Sequence, residues 1–124
     1  MAMKSEAATA TGARLFHGLS DPTRLGILLG LREQGELRVT DLVARLGCSQ
    51  ANVSKHLACL RGCGLVTGRV DGRETHYRIE HREVERLLRA ADDLLNVIGH
   101  DVALCRSHAP RTGRSRAPVR RDAS

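Results

Sequence analysis

Two cysteines, Cys59 and Cys63, lie four residues apart in a segment with helical periodicity. On an α-helix, residues i and i+4 lie one above the other, so both thiols can reach one soft metal ion. At about 100° per residue, both cysteines fall beside the apolar stripe of Val53, Leu57 and Leu60 rather than within it. This position argues against small buried cysteines that only fill the core, and on the sequence pattern alone both roles stay open.

The same segment supplies polar side chains of the types that contact DNA. Ser49 fits the N-cap of a helix over about residues 50–63, the predicted recognition helix. Glutamine and asparagine can hydrogen-bond adenine edges, serine can contact a base or a phosphate, and lysine is typical of phosphate contacts. The alternative is an ordinary solvated helix face. The candidate DNA-contacting residues on this helix are Ser49, Gln50, Asn52, Ser54, Lys55 and His56.

The elements before this helix complete a helix-turn-helix pattern. Asp21-Pro22 gives an N-cap followed by proline at the first helical position. A short helix is predicted to begin at Thr40-Asp41 and to end at Gly47, with Cys48 as a small structural residue in the turn. A short helix, a turn with glycine and a second capped helix are typical of the helix-turn-helix.

A β-hairpin is predicted over residues 65–79, with the turn at Asp71-Gly72. Arg69 and Arg73 lie near its tip, where they can enter the minor groove or bind phosphates. The predicted fold class is therefore mainly α with a small β-hairpin, a winged helix-turn-helix.

A long C-terminal helix is predicted over about residues 82–105. Its apolar stripe is too long for so small a domain to cover alone, so we expect a homodimer formed through the terminal helices. Cys105 continues this stripe, either as a buried interfacial cysteine or as a further metal ligand. The stripe comprises Val84, Leu87, Leu88, Ala91, Leu94, Leu95, Ile98, Val102 and Cys105.

Charge separates the folded domain, residues 5–105, from a basic tail, residues 106–124. The tail carries six arginines and one aspartate, which supply +5 of the net charge of +6. Its proline, glycine, serine and arginine content predicts disorder. The tail either adds sequence-independent attraction to phosphates or serves only as a solvated end.

Composition also excludes several functions. Phe16 and Tyr77 are the only aromatic residues, too few for stacking on RNA or other single strands. No signal peptide or membrane span is expected, so the four cysteines are predicted to lie in a reducing cytoplasm, where thiols serve metals or redox chemistry more often than disulfides. No pattern suggests a thiol enzyme or an organic cofactor.

Over roughly residues 12–105 the sequence resembles the ArsR/SmtB family of winged-helix metal-sensing repressors. The resemblance rests on three stretches: Leu19-Ser20-Asp21-Pro22-Thr23-Arg24, Leu46-Gly47-Cys48-Ser49-Gln50-Ala51-Asn52-Val53-Ser54-Lys55-His56-Leu57, and Leu60-Arg61 through Gly64-Leu65-Val66. Within the family the sequence looks most like the CmtR type, which responds to cadmium and lead. The resemblance implies a homodimer that binds double-stranded operator DNA without metal and is released when Cys59, Cys63 and Cys105 of the other subunit bind the ion.

Two other family metal sites are absent. The arsenic-sensing branch has a Cys-x-Cys pair where this chain has Arg38 and Thr40, and the zinc-sensing branch has an Asp-x-His pair that Asp92-Asp93-Leu94 does not match. His100, Asp101 and His108 lie near Cys105 and can assist an unusual site. Three thiolates favour soft ions such as cadmium and lead. Arsenite, zinc and thiol oxidation are the alternative inputs for the same DNA-binding repressor.

Overall fold

Caps made by side chains and glycines decide where the helices begin and end. The computed structural model describes residues 5–99, which form five helices and three strands. In chain order these are α1 (Glu6–Leu19), α2 (Pro22–Gln34), β1 (Leu37–Arg38), α3 (Val39–Leu46), α4 (Gln50–Gly62), β2 (Val66–Asp71), β3 (Glu74–Ile79) and α5 (Arg82–Val97). This architecture confirms the predicted winged helix-turn-helix.

Asp21 and Ser49 are the N-caps of α2 and α4, as predicted. Asp21 Oδ2 accepts a hydrogen bond from the Arg24 N–H at 2.9 Å, and Ser49 Oγ accepts one from the Asn52 N–H at 3.1 Å. Each cap pairs one of the backbone donors that the first turn of a helix leaves without an internal partner. The starts of both helices are therefore encoded locally.

Helix α3 begins at Val39, slightly earlier than the predicted start at Thr40-Asp41. The carboxylate of Asp41 accepts a hydrogen bond from the Arg38 N–H at 2.9 Å, which places Arg38 at the N-cap. At the other end, Gly47 ends the helix in the left-handed conformation, with φ of 71°. Glycine adopts this conformation without the Cβ clash of other residues, so the chain turns sharply into α4.

The core forms where α2, α3 and α4 meet the base of the hairpin. Val53, Leu57 and Leu60 of α4 are at most 1% exposed, which confirms the predicted apolar stripe. The buried apolar residues are Ile27, Leu28, Leu29, Leu31, Leu42, Val53, Leu57, Leu60, Val66, Ile79, Val84 and Leu88. Burial of this stripe fixes which face of α4 remains at the surface.

The wing is part of a three-stranded antiparallel sheet in the order β1-β3-β2. The sequence predicted only the hairpin, because the two residues of β1 are too short to show a strand pattern. Leu37 of β1 and Gly68 of β2 both pair with Tyr77 of β3. The turn lies one residue later than predicted, at Gly72-Arg73, since Asp71 and Glu74 still pair across the hairpin.

Helix α5 ends at Val97, earlier than the predicted end at about residue 105, and Gly99 follows it with φ of 92°. The predicted continuation of this helix and the basic tail at 106–124 lie outside the described residues. Between residues 5 and 99, no helix is long and apolar enough to cross a membrane.

A charged network ties the start of α3 to the wing. Arg38 donates to Asp41 at 3.0 Å and to Glu74 of β3 at 3.1 Å. Hydrogen bonds from the Arg38 side chain and backbone lower the pKa of Asp41 from its ordinary 3.8 to about 2. The network therefore stabilises the fold most when Asp41 is ionised.

We predict that Asp41→Asn lowers the free energy of unfolding at pH 6 and that this deficit shrinks at acid pH. Because the pKa of Asp41 is lower in the folded chain than in the unfolded one, its stabilisation is fully present above about pH 4 and is lost as the pH falls toward 2. Urea unfolding of both proteins at pH 6, 4 and 2 measures the difference. A deficit that does not change with pH would contradict the prediction.

Candidate functional site

The exposed face of α4 carries four of the predicted DNA-contacting residues. Gln50, Ser54 and Lys55 are exposed, and Asn52 is half-buried. They lie in the N-terminal half of the helix, outside the buried stripe of Val53, Leu57 and Leu60. The arrangement presents amide, hydroxyl and ammonium groups on the exposed part of one helix, which is the set that a major-groove helix needs.

Ser49 caps α4 and is exposed at the start of this helix. Its Oγ accepts the hydrogen bond from the Asn52 N–H, so one lone pair is engaged within the helix. The side chain is exposed, and its hydroxyl proton can still be donated to a phosphate or a base. The structure therefore allows Ser49 both roles.

His56, which was also predicted to contact DNA, is buried against the start of α2, unlike the other predicted contacts on this helix. The residue is only 8% exposed, the least exposed of the predicted DNA contacts. Its Nδ1 lies 3.1 Å from Arg24 Nη1, and its Nε2 lies 3.8 Å from Asp21 Oδ2. The start of α2 covers this flank of α4, a contact between distant segments that helical periodicity could not predict.

Arg69, one of the two predicted wing contacts, is held by a carboxylate. Its guanidinium donates to Glu36 Oε1 at 2.9 Å and to Oε2 at 3.3 Å. The side-chain hydrogen bond from Arg69 lowers the pKa of Glu36, and the same bond raises the pKa of Arg69. Any phosphate that binds Arg69 must therefore compete with Glu36.

Arg73, the other wing contact, lies at the tip of the hairpin. It occupies the two-residue turn after Gly72, whose φ is 68°, and its side chain is exposed. No ion pair joins Arg73 to another residue between 5 and 99. The tip therefore presents one guanidinium that can approach DNA without first leaving a partner within this part of the chain.

Cys59 and Cys63 are both exposed and both free thiols, beside the buried stripe as predicted. The Cys63 N–H donates to the Cys59 carbonyl at 3.0 Å. The helical hydrogen-bonding pattern therefore continues from one cysteine to the other at the end of α4. Cys63 is the C-cap, and Gly64 turns the chain toward β2 with φ of 77°. The pair thus lies where the recognition helix joins the wing.

Cys48 has a different environment. It is half-buried, with its Sγ 4.0 Å from Thr23 Oγ1 and 3.8 Å from the Leu46 carbonyl. These contacts fit the small structural residue that the turn was predicted to need.

The rest of the predicted metal site falls elsewhere in the chain. Within residues 5–99, no group of three or more histidine, cysteine or acidic side chains is placed to hold a metal ion. Cys105, His100, Asp101 and His108 lie outside the described residues. The soft donors of Cys59 and Cys63 fit a thiophilic ion, and this pair needs at least one ligand from another segment or another subunit.

Two residues with polar contacts to predicted site residues were not identified from the sequence. Glu36 binds Arg69, and Arg24 contacts His56. Asp21-Pro22-Thr23-Arg24 was interpreted only as a helix start and a family motif. No local pattern indicates that this segment meets the recognition helix, because Arg24 and His56 are 32 positions apart in the chain.

Comparison with known proteins agrees with this geometry. Residues 21–67 match the family described as bacterial regulatory protein, arsR family. The chain is 43% identical over 86 residues to the HTH-type transcriptional regulator CmtR of Mycobacterium tuberculosis, covering 69% of this chain and 70% of that protein. The chain belongs to the arsR family of bacterial regulatory proteins. It is accordingly a DNA-binding transcriptional regulator and not an enzyme, as predicted.

Two further similarities extend this result. The arsenical resistance operon repressor of Escherichia coli is 52% identical over 66 residues, which cover 53% of this chain and 56% of the repressor. Among solved structures, the transcriptional regulator HlyU from Vibrio vulnificus matches with a TM-score of 0.62 and 36% identity, covering 72% of this chain and 92% of its own. The fold of this chain is thus shared with a solved transcriptional regulator.

We predict that Glu36→Gln raises the affinity for non-specific duplex DNA by a few-fold. The substitution removes the carboxylate that holds Arg69. The guanidinium then gives up a weaker interaction when it moves to a phosphate. Fluorescence anisotropy at several salt concentrations measures the change. Glu33→Gln is the matched control, since it removes the same charge from a pair with Arg45 that does not involve the wing. Equal gains in both variants would contradict a specific role for Arg69.

Proposed function

We propose that this chain is a metal-responsive repressor that binds operator DNA as a metal-free homodimer and is released by a soft metal ion, cadmium or lead. The observation that carries the proposal is the pair of exposed, free thiols of Cys59 and Cys63 on the recognition helix itself. DNA contacts and metal ligands then belong to one rigid element, and each can affect the other directly.

The ligand set that we propose is Cys59 and Cys63 with Cys105 of the partner subunit. Thiolates select thiophilic ions, and a site of three thiolates suits lead and leaves tetrahedral zinc one ligand short. The relatives, which include the regulator CmtR and an arsenical resistance operon repressor, support a metal or metalloid input. The ion would supply a bond between segments that are otherwise independent.

The position of the thiols explains how such binding would oppose DNA binding. They lie in the last turn of α4, where Arg61 stacks over the Tyr77 ring of the wing at 5.9 Å. Holding both thiols in a metal site fixes this turn, and the recognition helix and wing no longer adjust together to the grooves. The coupling between the two ligands is reciprocal and typically ~1–3 kcal/mol.

A second copy of this chain is the proposed partner. Helix α1 has no buried residue, and Phe16 on it is 52% exposed. At the end of α5, Leu94, Val97 and the C-cap residue Ile98 are 59%, 81% and 57% exposed. Large apolar side chains at this exposure on both terminal helices support a dimer through these helices, which would present two recognition helices to an inverted repeat.

We predict that Cys59→Ser and Cys63→Ser retain operator binding and lose release by cadmium or lead. Neither cysteine is buried, so serine should leave the fold intact while removing a soft ligand. DNA-binding titrations with cadmium, lead, zinc and arsenite measure release from an operator selected from random DNA by the wild-type protein.

Cys48→Ser is the control, because this half-buried thiol lies away from the proposed site and should keep the metal response. Release of either mutant at wild-type metal concentrations would contradict the proposed ligands. Release of the wild-type protein by zinc, by arsenite or by an oxidant alone would favour one of the alternative inputs.

We further predict that Cys59→Ser and Cys105→Ser chains, each unresponsive to metal, partly recover thiolate–metal absorption when mixed. In a site shared between subunits, one of the two sites of the heterodimer keeps every ligand and the other loses both mutated ones. In a site within one subunit, every site lacks one ligand. With subunit exchange confirmed independently, the absence of the charge-transfer band would rule out the shared site.

A further inference from the structure

A group of polar contacts at the start of α2 joins three helices, and we call it the Arg24 junction. It comprises Asp21, Arg24, His56 and the backbone carbonyl of Gly18. Arg24 Nε donates to the Gly18 carbonyl at 2.7 Å, and Arg24 Nη1 lies 3.1 Å from His56 Nδ1. One guanidinium therefore connects the end of α1 to the middle of α4, across the N-terminus of α2.

The chemistry of the junction fixes the state of the histidine ring. A guanidinium has only donors, so His56 Nδ1 must accept the hydrogen bond from Arg24 and cannot itself carry a proton. The ring proton is then on Nε2, which faces Asp21 Oδ2 at 3.8 Å. The same carboxylate oxygen accepts the hydrogen bond from the Arg24 N–H at 2.9 Å, so Asp21 serves both the helix cap and the junction.

The Arg24 junction lies beside the apolar stripe of α4, where apolar packing alone requires no polar group. His56 is the only buried polar or charged residue between residues 5 and 99, and Val53, Leu57 and Leu60 of the same helix are buried beside it. An apolar side chain of similar size would fill this space without requiring a partner. A hydrogen bond is directional and is satisfied at only one relative position of the helices. It therefore fixes that position, which apolar packing alone does not.

The elements that the junction joins have different proposed roles in the homodimer. Helix α1 carries exposed apolar residues for the partner, and α4 carries the DNA-contacting residues. The distance between two recognition helices depends on how each α4 is held relative to its own dimerisation helices. The centre-to-centre spacing of operator half-sites must match that distance.

We propose that Arg24 and His56 are positioning residues that set the operator half-site spacing by fixing α4 relative to α1. They act through the recognition helix and do not themselves contact DNA. The inference rests on the proposed homodimer. It does not depend on which metal ion releases that homodimer from DNA.

The experiment uses full-length protein and an inverted repeat selected from random DNA by the wild type. Operators with the same half-sites and spacing changed in steps of one base pair are compared by anisotropy, together with a single half-site. The wild type should prefer one spacing, and Arg24→Lys and His56→Leu should reduce that preference by about tenfold, the loss expected from one charge-assisted hydrogen bond. Their affinity for the single half-site should not change.

Three further measurements separate positioning from folding. His56→Asn places an amide oxygen near the position of Nδ1 and should restore much of the preference. Arg14→Lys, at an exposed arginine of α1, should leave it unchanged. In the wild-type protein, ¹⁵N chemical shifts of His56 should show a protonated Nε2 and an unprotonated Nδ1, and this measurement does not depend on any variant folding.

The outcomes are distinct. An unchanged spacing preference in both Arg24→Lys and His56→Leu, a parallel loss of half-site and full-site affinity, or a proton on Nδ1 would each overturn the positioning role while leaving the proposed repressor intact. Failure of the wild-type protein to select any inverted repeat would overturn the homodimer and this inference together.

Discussion

Burial of the apolar stripe of α4 is the constraint on which the rest of this structure depends. Val53, Leu57 and Leu60 are excluded from water against α2 and α3, and this fixes the rotation of the helix about its own axis. Once the rotation is fixed, Ser54 and Lys55 must face outward and the two thiols must lie at the flank. Burial of apolar area thus determines where the proposed DNA contacts and the proposed metal ligands lie, although none of them belongs to the buried stripe.

Polar interactions then fix the positions of side chains and strands that apolar burial does not determine. The pairs of Arg38 with Asp41 and Glu74 join the start of α3 to the wing, and Arg69 is held by Glu36. These pairs are partly or well exposed, so each contributes little to stability, but each restricts where a side chain or strand can lie. The contact between Arg24 and His56 differs from these pairs, because His56 is buried and Arg24 is half-buried, so water competes less for their hydrogen bond.

The proposed input and output share one helix of thirteen residues, with one thiol in its last turn and the other at its C-cap. A regulator built this way needs no long path between sites. In this proposal the N-terminal half of α4 contacts DNA and its C-terminal end holds the metal, and the wing strand β2 begins at Val66, two residues after Gly64. Because one helix carries both proposed functions, a substitution in its buried stripe affects both at once.

Local features of the sequence determined most of the fold. Asp21 and Ser49 act as caps within three residues of their partners, Gly47 and Gly72 take the positive φ that a turn requires, and the period of Val53, Leu57 and Leu60 defines the core face of α4. For the same reason the exposure of Cys59 and Cys63 was predictable. Such features depend on residues close in the chain, so the sequence alone carries them. Tertiary structure decided the rest. The strand at Leu37–Arg38 exists only by pairing with β3, and Glu36 binds Arg69 across 33 positions of the chain. His56 is buried because Arg24, 32 positions earlier, packs against it. Contacts between distant segments depend on how whole helices pack, and no local periodicity records that.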